Sequence, residues 1–247
     1  MANLGGPSPA KRRLLMRTTE AIMLYGAEVW ADSLRYHKYR ARMEAVQRRG
    51  ALRISSASRT VSGPASQVIA GTIPIYHQAL ERRRIKMRKA EAILPITIVK
   101  REEREETICR WQADLVCETR GRWTALIIDD LKAWLERKHG EVNYYLTQFL
   151  SGHGYFRSFL VQIGKATDPE CRYCGIEEDD VCHTFFTCPQ WVSMRRSAEE
   201  VIGTLRPQTI IHEMIRNKSS WDAMAVFVAS VLKAKKLDGR WEEEGDE

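Results

Sequence analysis

The chain has 247 residues, 44% hydrophobic and 29% charged, which is enough for one large or two small domains with real cores and excludes a chain that stays unfolded. No apolar run reaches the roughly 18 to 20 residues of a membrane span, and MANLGGPSPAKRR carries no apolar signal stretch, so the expectation is an intracellular protein without membrane contact. The formal charge of +7 is uneven: residues 1 to 100 hold 19 Lys and Arg against 6 Asp and Glu, a net of +13, and the remainder nets −6. Such a basic block is the electrostatic footprint of a nucleic-acid contact surface, with a solvated helix face as the plainer reading.

In chain order, Leu14, Thr18, Ile22, Tyr25 and Val29 are spaced by four, four, three and four and predict one apolar stripe on a continuous helix. Tyr39, Met43, Val46, Gly50 and Ile54 repeat the pattern, while Arg35, Lys38, Arg40, Arg42, Arg48, Arg49 and Arg53 occupy the rest of that helix's circumference. Gly63, Pro64, Gly71 and Pro74 then predict a turn, a short helix and a new start capped by Thr72. The helix from Pro74 to Ala92 carries Arg82, Arg83, Arg84, Lys86, Arg88 and Lys89 and is expected to end at Leu94-Pro95.

A mixed-charge helix over KREEREETICRWQADLVCE follows, then Trp123, Ile127, Leu131 and Trp134 as a further stripe. Inside it, IIDD (Ile127 to Asp130) looks like the paired aspartates that bind magnesium in polymerases, but those belong on a tight strand turn, whereas these are expected within a helix with only Ile127 on its core stripe. Two short helices joined at Gly152-His153-Gly154 come next, with His153 read as a turn residue in preference to a catalytic base. Three more helical patterns and a frayed acidic tail, EEEGDE, complete the chain. Strand-like alternation is scarce, so the expected fold class is all-α.

Four of the six cysteines crowd into residues 171 to 188, which fits metal ligation better than disulfides and implies a reducing compartment. The spacing is Cys171-x2-Cys174-x8-His183-x4-Cys188. A C-x-x-C turn brings two sulfurs to one ion, and a histidine and a cysteine from a short helix close a tetrahedron, so the expectation is one structural zinc with no open coordination position. Pro189 should end that helix as its last ligand is delivered. Cys182 points about 100° away from His183 on a helix, and the spacing favours His183. Buried free thiols in a small core are the alternative. Glu177, Glu178, Asp179 and Asp180 make this stretch acidic, so any nucleic-acid contact here would use Tyr173, Phe185, Phe186 or Trp191 on exposed bases rather than phosphate, although covering the metal is the plainer role of each ring.

Three passages taken together, NLGGPSPAKRRLLMRTTEAIMLYGAEVWAD, VQRRGALRISSASRTVSGPASQVIAGTIPI and GRWTALIIDDLKAWLERKHGEVNYYLTQFLSGHGYF, followed by the Cys/His cluster, resemble the C-terminal part of reverse transcriptase polyproteins from arthropod non-LTR retrotransposons. The type-1 elements that insert into ribosomal DNA are the closest in look. The resemblance covers roughly residues 3 to 195. It implies a basic helical thumb-like region over 1–95, a helical connector over 96–165, a CCHC zinc knuckle over 166–195, and C-terminal helices with the acidic tail over 196–247.

By the same resemblance the parent protein is an RNA-directed DNA polymerase with an endonuclease, the location is nuclear, and the partners are RNA or DNA as template and primer, with a polymerase core in cis or in trans. Candidate nucleic-acid contacts are Arg40, Arg42, Arg48, Arg49, Arg53, Arg82, Arg83, Arg84 and Lys86. The family's aromatic-Ala-Asp-Asp polymerase motif and its endonuclease motifs are missing, so this chain is not expected to catalyse either reaction alone. The alternative is a repurposed or remnant helical scaffold that binds protein partners.

Overall fold

The structure, a computed structural model, describes residues 6–91 and 94–243, with side chains up to Asp238. Among the described residues there is no strand, only one isolated bridge between Glu170 and Glu178, so the fold is all-α as the patterns indicate. The helices are α1 (Pro9–Met23), α2 (Ala27–Trp30), α3 (His37–Ile54), α4 (Gly63–Ala70), α5 (Ile75–Glu91), α6 (Ile96–Cys117), α7 (Arg122–Ile127) and α8 (Leu131–Glu136). Then come α9 (Tyr144–Ser151), α10 (Arg157–Gln162), α11 (Val192–Ile202), α12 (Ile210–Arg216) and α13 (Lys218–Glu243). The chain forms two compact units: Met1–Ala125 with Asp130–Leu135, and Leu126–Asp129 with Glu136–Glu247.

In the first unit α1 packs on α3, α3 on α4, α2 on α5 and α5 on α6. Ser8 caps α1, with Pro9 in its first turn, and Ser62 caps α4 by accepting from the Ala65 amide at 3.3 Å. The expected continuous helix through Val29 breaks, because Gly26 takes a left-handed conformation (φ 63°) between α1 and α2. The face also changes: Met16, Leu24 and Ala27 are buried, while the predicted stripe of Leu14, Ile22, Tyr25 and Val29 is exposed. On α3, Ile54 is buried and Gly50 lies against Met16, but Tyr39 and Val46 are exposed.

Thr72 bonds back to the Gln67 carbonyl rather than capping α5. The α5 start is held by Gln47, whose Oε1 accepts from the Ile75 amide at 2.8 Å and from Gln67 Nε2 at 2.9 Å, and whose Nε2 donates to Ile73 O at 2.7 Å. A fully buried amide thus spends its bonds joining three helices. Residue Ala92, expected as the end of this helix, lies outside the described residues.

The IIDD reading is corrected. The chain leaves the helix after Ile127, Ile128 is buried along with Ile127, and Asp130 Oδ1 accepts from the Ala133 amide at 2.9 Å as the cap of α8. Trp134 on α8 is buried and donates its Nε1 to Val68 O at 2.7 Å.

In the second unit α13 packs against α9, α11 and α12. Phe185 sits fully buried with its ring centroid 5.2 Å from Phe149 and 5.7 Å from Phe227, both near edge-on. His153 stacks on Phe159 at 4.4 Å, and burial lowers its pKa. Glu242 and Glu243 of the acidic tail close α13, and residues 244–247 lie outside the described residues.

Candidate metal centre

The ligand loop is built from local backbone bonds. Gly175 N donates to Cys171 O at 2.7 Å, closing the C-x-x-C turn with Gly175 left-handed (φ 63°). Cys171 N donates to Glu177 O at 2.9 Å and Asp179 N to Pro169 O at 2.8 Å, folding the acidic strip back over the first cysteine. Asp180 then caps the next turn, its Oδ1 accepting from His183 N at 2.6 Å. That turn, His183–Thr187, is a single π turn in which Cys188 N donates to His183 O at 2.8 Å. The i to i+5 bond sets His183 and Cys188 at the two ends of one turn. Pro189 follows, and Cys188 is extended (φ −55°, ψ 124°), so the helical turn stops at its last ligand.

The four expected residues meet. One ligand atom each from Cys171, Cys174, His183 and Cys188 lie within 4.8 Å of one another. Cys171 and Cys188 sulfurs are 3.9 Å apart, and Cys174 Sγ is 3.4 Å from His183 Nε2. A tetrahedral ion with M–S near ~2.3 Å and M–N near ~2.0 Å has ligand edges of about 3.5 to 3.8 Å, so the cluster can hold one metal ion with little adjustment. His183 Nδ1 faces Glu177 Oε2 at 2.6 Å and Thr187 Oγ1 at 3.1 Å, which points Nε2 at the centre and fixes the tautomer that ligation needs. The same hydrogen bond holds the Glu177 carboxyl below its usual range.

The thiols differ. The Ile176 amide, with that of Glu177 and the neighbouring Cys171 and His183, draws the Cys174 thiol down to about 7, whereas burial, with Cys171 beside it, pushes Cys188 up to about 12. Cys182 is outside the cluster and its thiol is raised by burial.

Four residues that the spacing does not reveal hold this loop in place. Asp179 is 2% exposed; its Oδ1 pairs with Lys235 Nζ and accepts from Thr184 Oγ1 at 2.8 Å, while its Oδ2 accepts from Arg157 N at 3.0 Å. Lys235 also donates to Thr184 Oγ1 at 2.9 Å, and burial lowers its pKa against the pull of Asp179. Arg195 donates to Phe186 O at 2.9 Å and to Cys188 O. Glu177, already described, orients the histidine. Lys235 leaves a sequence signal: it stands four residues after Val231 and three after Leu232, on the buried stripe of Met224, Phe227, Val228, Val231 and Leu232, where a lysine needs a buried partner. Of the aromatic candidates, Phe185 and Trp191 are buried, Phe186 is half-buried, and half-buried Tyr173 lies against Trp191 and donates to Asp238.

The nine candidate phosphate contacts fall into two groups. Arg48 donates to Arg59 O at 2.6 Å and Val61 O at 2.8 Å, Arg82 donates to Leu24 O at 2.8 Å, and Arg83 pairs with Asp32. Arg84 bonds Glu103 at 2.5 Å and Thr107 at 2.8 Å; Arg40 lies over the Tyr76 ring at 5.2 Å and 3.6 Å from Glu44. Arg42, Arg49, Arg53 and Lys86 are exposed, and their side chains carry no hydrogen bond or ion pair among the described residues.

Comparison with known proteins adds relatives of one kind. A Pol polyprotein from the type-1 retrotransposable element R1 2 of Nasonia vitripennis is 29% identical over 189 residues, 71% of this chain and 46% of its own length. The corresponding R1 polyprotein of Bradysia coprophila is 28% identical over 189 residues, 71% of this chain and 19% of its own. That of element R1 4 of Nasonia vitripennis is 28% identical over 166 residues, 62% of this chain and 42% of its own. The chain is similar to arthropod R1 Pol polyproteins. The resemblance seen in its motifs holds along most of its length, and the chain spans less than half the length of these relatives. No family model matches the chain, and no solved structure matches it. No helix among the described residues is long and apolar enough to cross a membrane.

Proposed function

We propose that the chain is a non-catalytic, nucleic-acid-binding segment of a non-LTR retrotransposon reverse transcriptase polyprotein, with one structural zinc ion in its second unit. The similarity to R1 Pol polyproteins over 189 residues carries the reading. The net +13 of residues 1 to 100 and the four free cations on α3 and α5 support it. In this reading Arg42, Arg49, Arg53 and Lys86 hold template or primer phosphates, while Arg40, Arg48, Arg82, Arg83 and Arg84 shape the helices that present them. The polymerase core acts in cis or in trans, in the nucleus.

Zinc suits the donor set. Three thiolates and one imidazole fill a tetrahedron, so every coordination position is taken by protein and none is left for a catalytic water. With zinc bound, the three thiolates and the ion net −1, and Glu177, Glu178 and Asp180 outweigh the one arginine of residues 171 to 188 while Asp179 is paired with Lys235, a balance that still repels phosphate and leaves polyanion binding to the first unit.

Each phosphate neutralised steepens the fall of log K with log salt by about 0.7 to 0.9, so binding of a primed RNA template should weaken steeply from low to moderate salt. Reversing Arg42, Arg49, Arg53 and Lys86 to Glu should flatten that slope and abolish retention, whereas reversing the internally bonded Arg82 and Arg83 should lower stability instead. An affinity indifferent to salt, or unchanged in the fourfold variant, refutes the nucleic-acid part. Purified chain without stoichiometric zinc, or zinc retained by Cys174→Ser with Cys171→Ser, refutes the metal part.

A further inference from the structure

Helix α1 carries apolar side chains beyond its buried face. Met16 and Leu24 turn into the first unit, while Leu14, Leu15 and Ile22 on the outer side are 65%, 65% and 74% exposed. Single exposed leucines need no partner. Of these, Leu15 lines a cavity of about 460 Å³ between α1 and α3, a size within the range of roughly 300 to 1,000 Å³ typical of ligand clefts.

Its floor is aliphatic, made by Leu15 and Met16 on α1 and by Val46 and Gly50 on α3, and its rim carries the guanidiniums of Arg12, Arg49 and Arg53. Among the described residues, none that lines it is acidic or aromatic. Arg12 is fixed in place, its Nη1 donating to Arg53 O and to Ser56 Oγ at 2.8 Å each, whereas Arg49 and Arg53 are exposed.

Beyond Pro7, which precedes α1, the lining residues run over two turns of each helix, from Arg12 to Thr19 and from Val46 to Arg53. That is the footprint of a third helix lying in the groove with anchors at i, i+3, i+4 and i+7. A single strand of nucleic acid would find phosphate partners here but no ring on which to stack its bases. The complement of aliphatic floor and cationic rim is a helix with leucine-like side chains on one side and carboxylates beside them.

We propose that the α1–α3 groove docks an acidic amphipathic helix of a protein partner, its aliphatic side chains seated on Leu15 and Val46 and its carboxylates on Arg49 and Arg53. The assignment stands apart from nucleic-acid binding, but Arg49 and Arg53 serve both, so partner and polyanion exclude each other on this face.

The test measures anisotropy of a fluorescent helical peptide, with Leu at the anchor positions and Glu elsewhere, added to the full zinc-loaded chain. A peptide with Ser at every Leu position and an RNA–DNA duplex are the comparators. Saturable binding of the Leu/Glu peptide is expected, weakened about tenfold or more by Val46→Asp or by Arg49→Glu with Arg53→Glu.

The milder Leu15→Ser and Val46→Thr, at exposed positions, should leave the thermal midpoint and duplex affinity unchanged while weakening the peptide. Equal binding of the Ser peptide, peptide affinity unmoved by Leu15→Ser and Val46→Thr, or binding of duplex alone would each overturn the proposal. Peptide binding without duplex binding would instead remove the nucleic-acid reading and leave this one standing.

Discussion

Asp179 and Lys235 carry opposite charges into the interior of the second unit, with side chains 3% and 5% exposed, so removing one leaves the other stranded. Lys235→Met is expected to lower stability by about 3 to 5 kcal/mol, and adding Asp179→Asn should recover part of that loss, measured by denaturant unfolding of the metal-loaded chain. Glu103 gives the pH counterpart in the first unit. Burial would raise its carboxyl, but Arg84 at 2.5 Å and Arg88 at 3.0 Å together hold it below the ordinary 4.5. A depressed folded-state pKa adds stability that is complete above the unfolded value and is lost as pH falls through the folded one. Glu103→Gln should therefore cost about 2 kcal/mol near neutrality, discounted for two partly exposed arginines, and little at pH well below 4, seen as convergence of the two acid-unfolding curves.

At the scale of elements, α1 and α3 meet where Met16 lies against Gly50. A Cβ on Gly50 would fall 2.1 Å from Met16 Sδ, so the thioether end of that side chain, which borders the α1–α3 cavity, would have to shift. Gly50→Ala gains up to about 1 kcal/mol of helix propensity and loses about 1 kcal/mol to displacement of the Met16 thioether, the low end of the overpacking range because that end borders a cavity, so a net change near zero is expected. In a Met16→Ala background the full helix-propensity gain should appear, which thermal unfolding of the four variants would show. The helices themselves were legible from apolar spacing and from Pro and Gly punctuation. Their inward faces were less so. Alternative stripes two residues apart coexist on α1, and the one that turns in is set by packing the sequence does not display, Met16 on Gly50, Ala51 and Ile54, and Leu24 on Ile75 and Ala79. The α5 start was illegible for a related reason: its cap is Gln47, on another helix and 28 residues earlier. The metal ligands were legible because all four lie within 18 consecutive residues, whereas nothing local sets Asp179 apart from its three acidic neighbours, its partner Lys235 lying 56 residues on.

Across the whole molecule, the chain divides into two compact units, and the metal cluster belongs to the second. Phe185, between the ligands His183 and Cys188, packs on Phe149 and Phe227, so the ligand loop is continuous with the interior that α9 and α13 enclose. Chelation is therefore expected to abolish one calorimetric transition, that of the second unit, and to leave that of the first in place, because metal-binding energy here is folding energy. A lone early melt of residues 171 to 200 with the rest of that unit intact would contradict this coupling. Charge distribution along the sequence anticipated a basic first part, yet which arginines are free to bind could be read only after their carbonyl and carboxylate partners were placed.

The clasp between Asp179 and Lys235 also sets an order of events during synthesis. The last ligand, Cys188, leaves the ribosome 47 residues before the lysine that neutralises the buried carboxylate beside the loop. Stable capture of the ion must wait for Lys235 to emerge, and a reading frame cut short ahead of it would yield a product whose thiols stay open to oxidation.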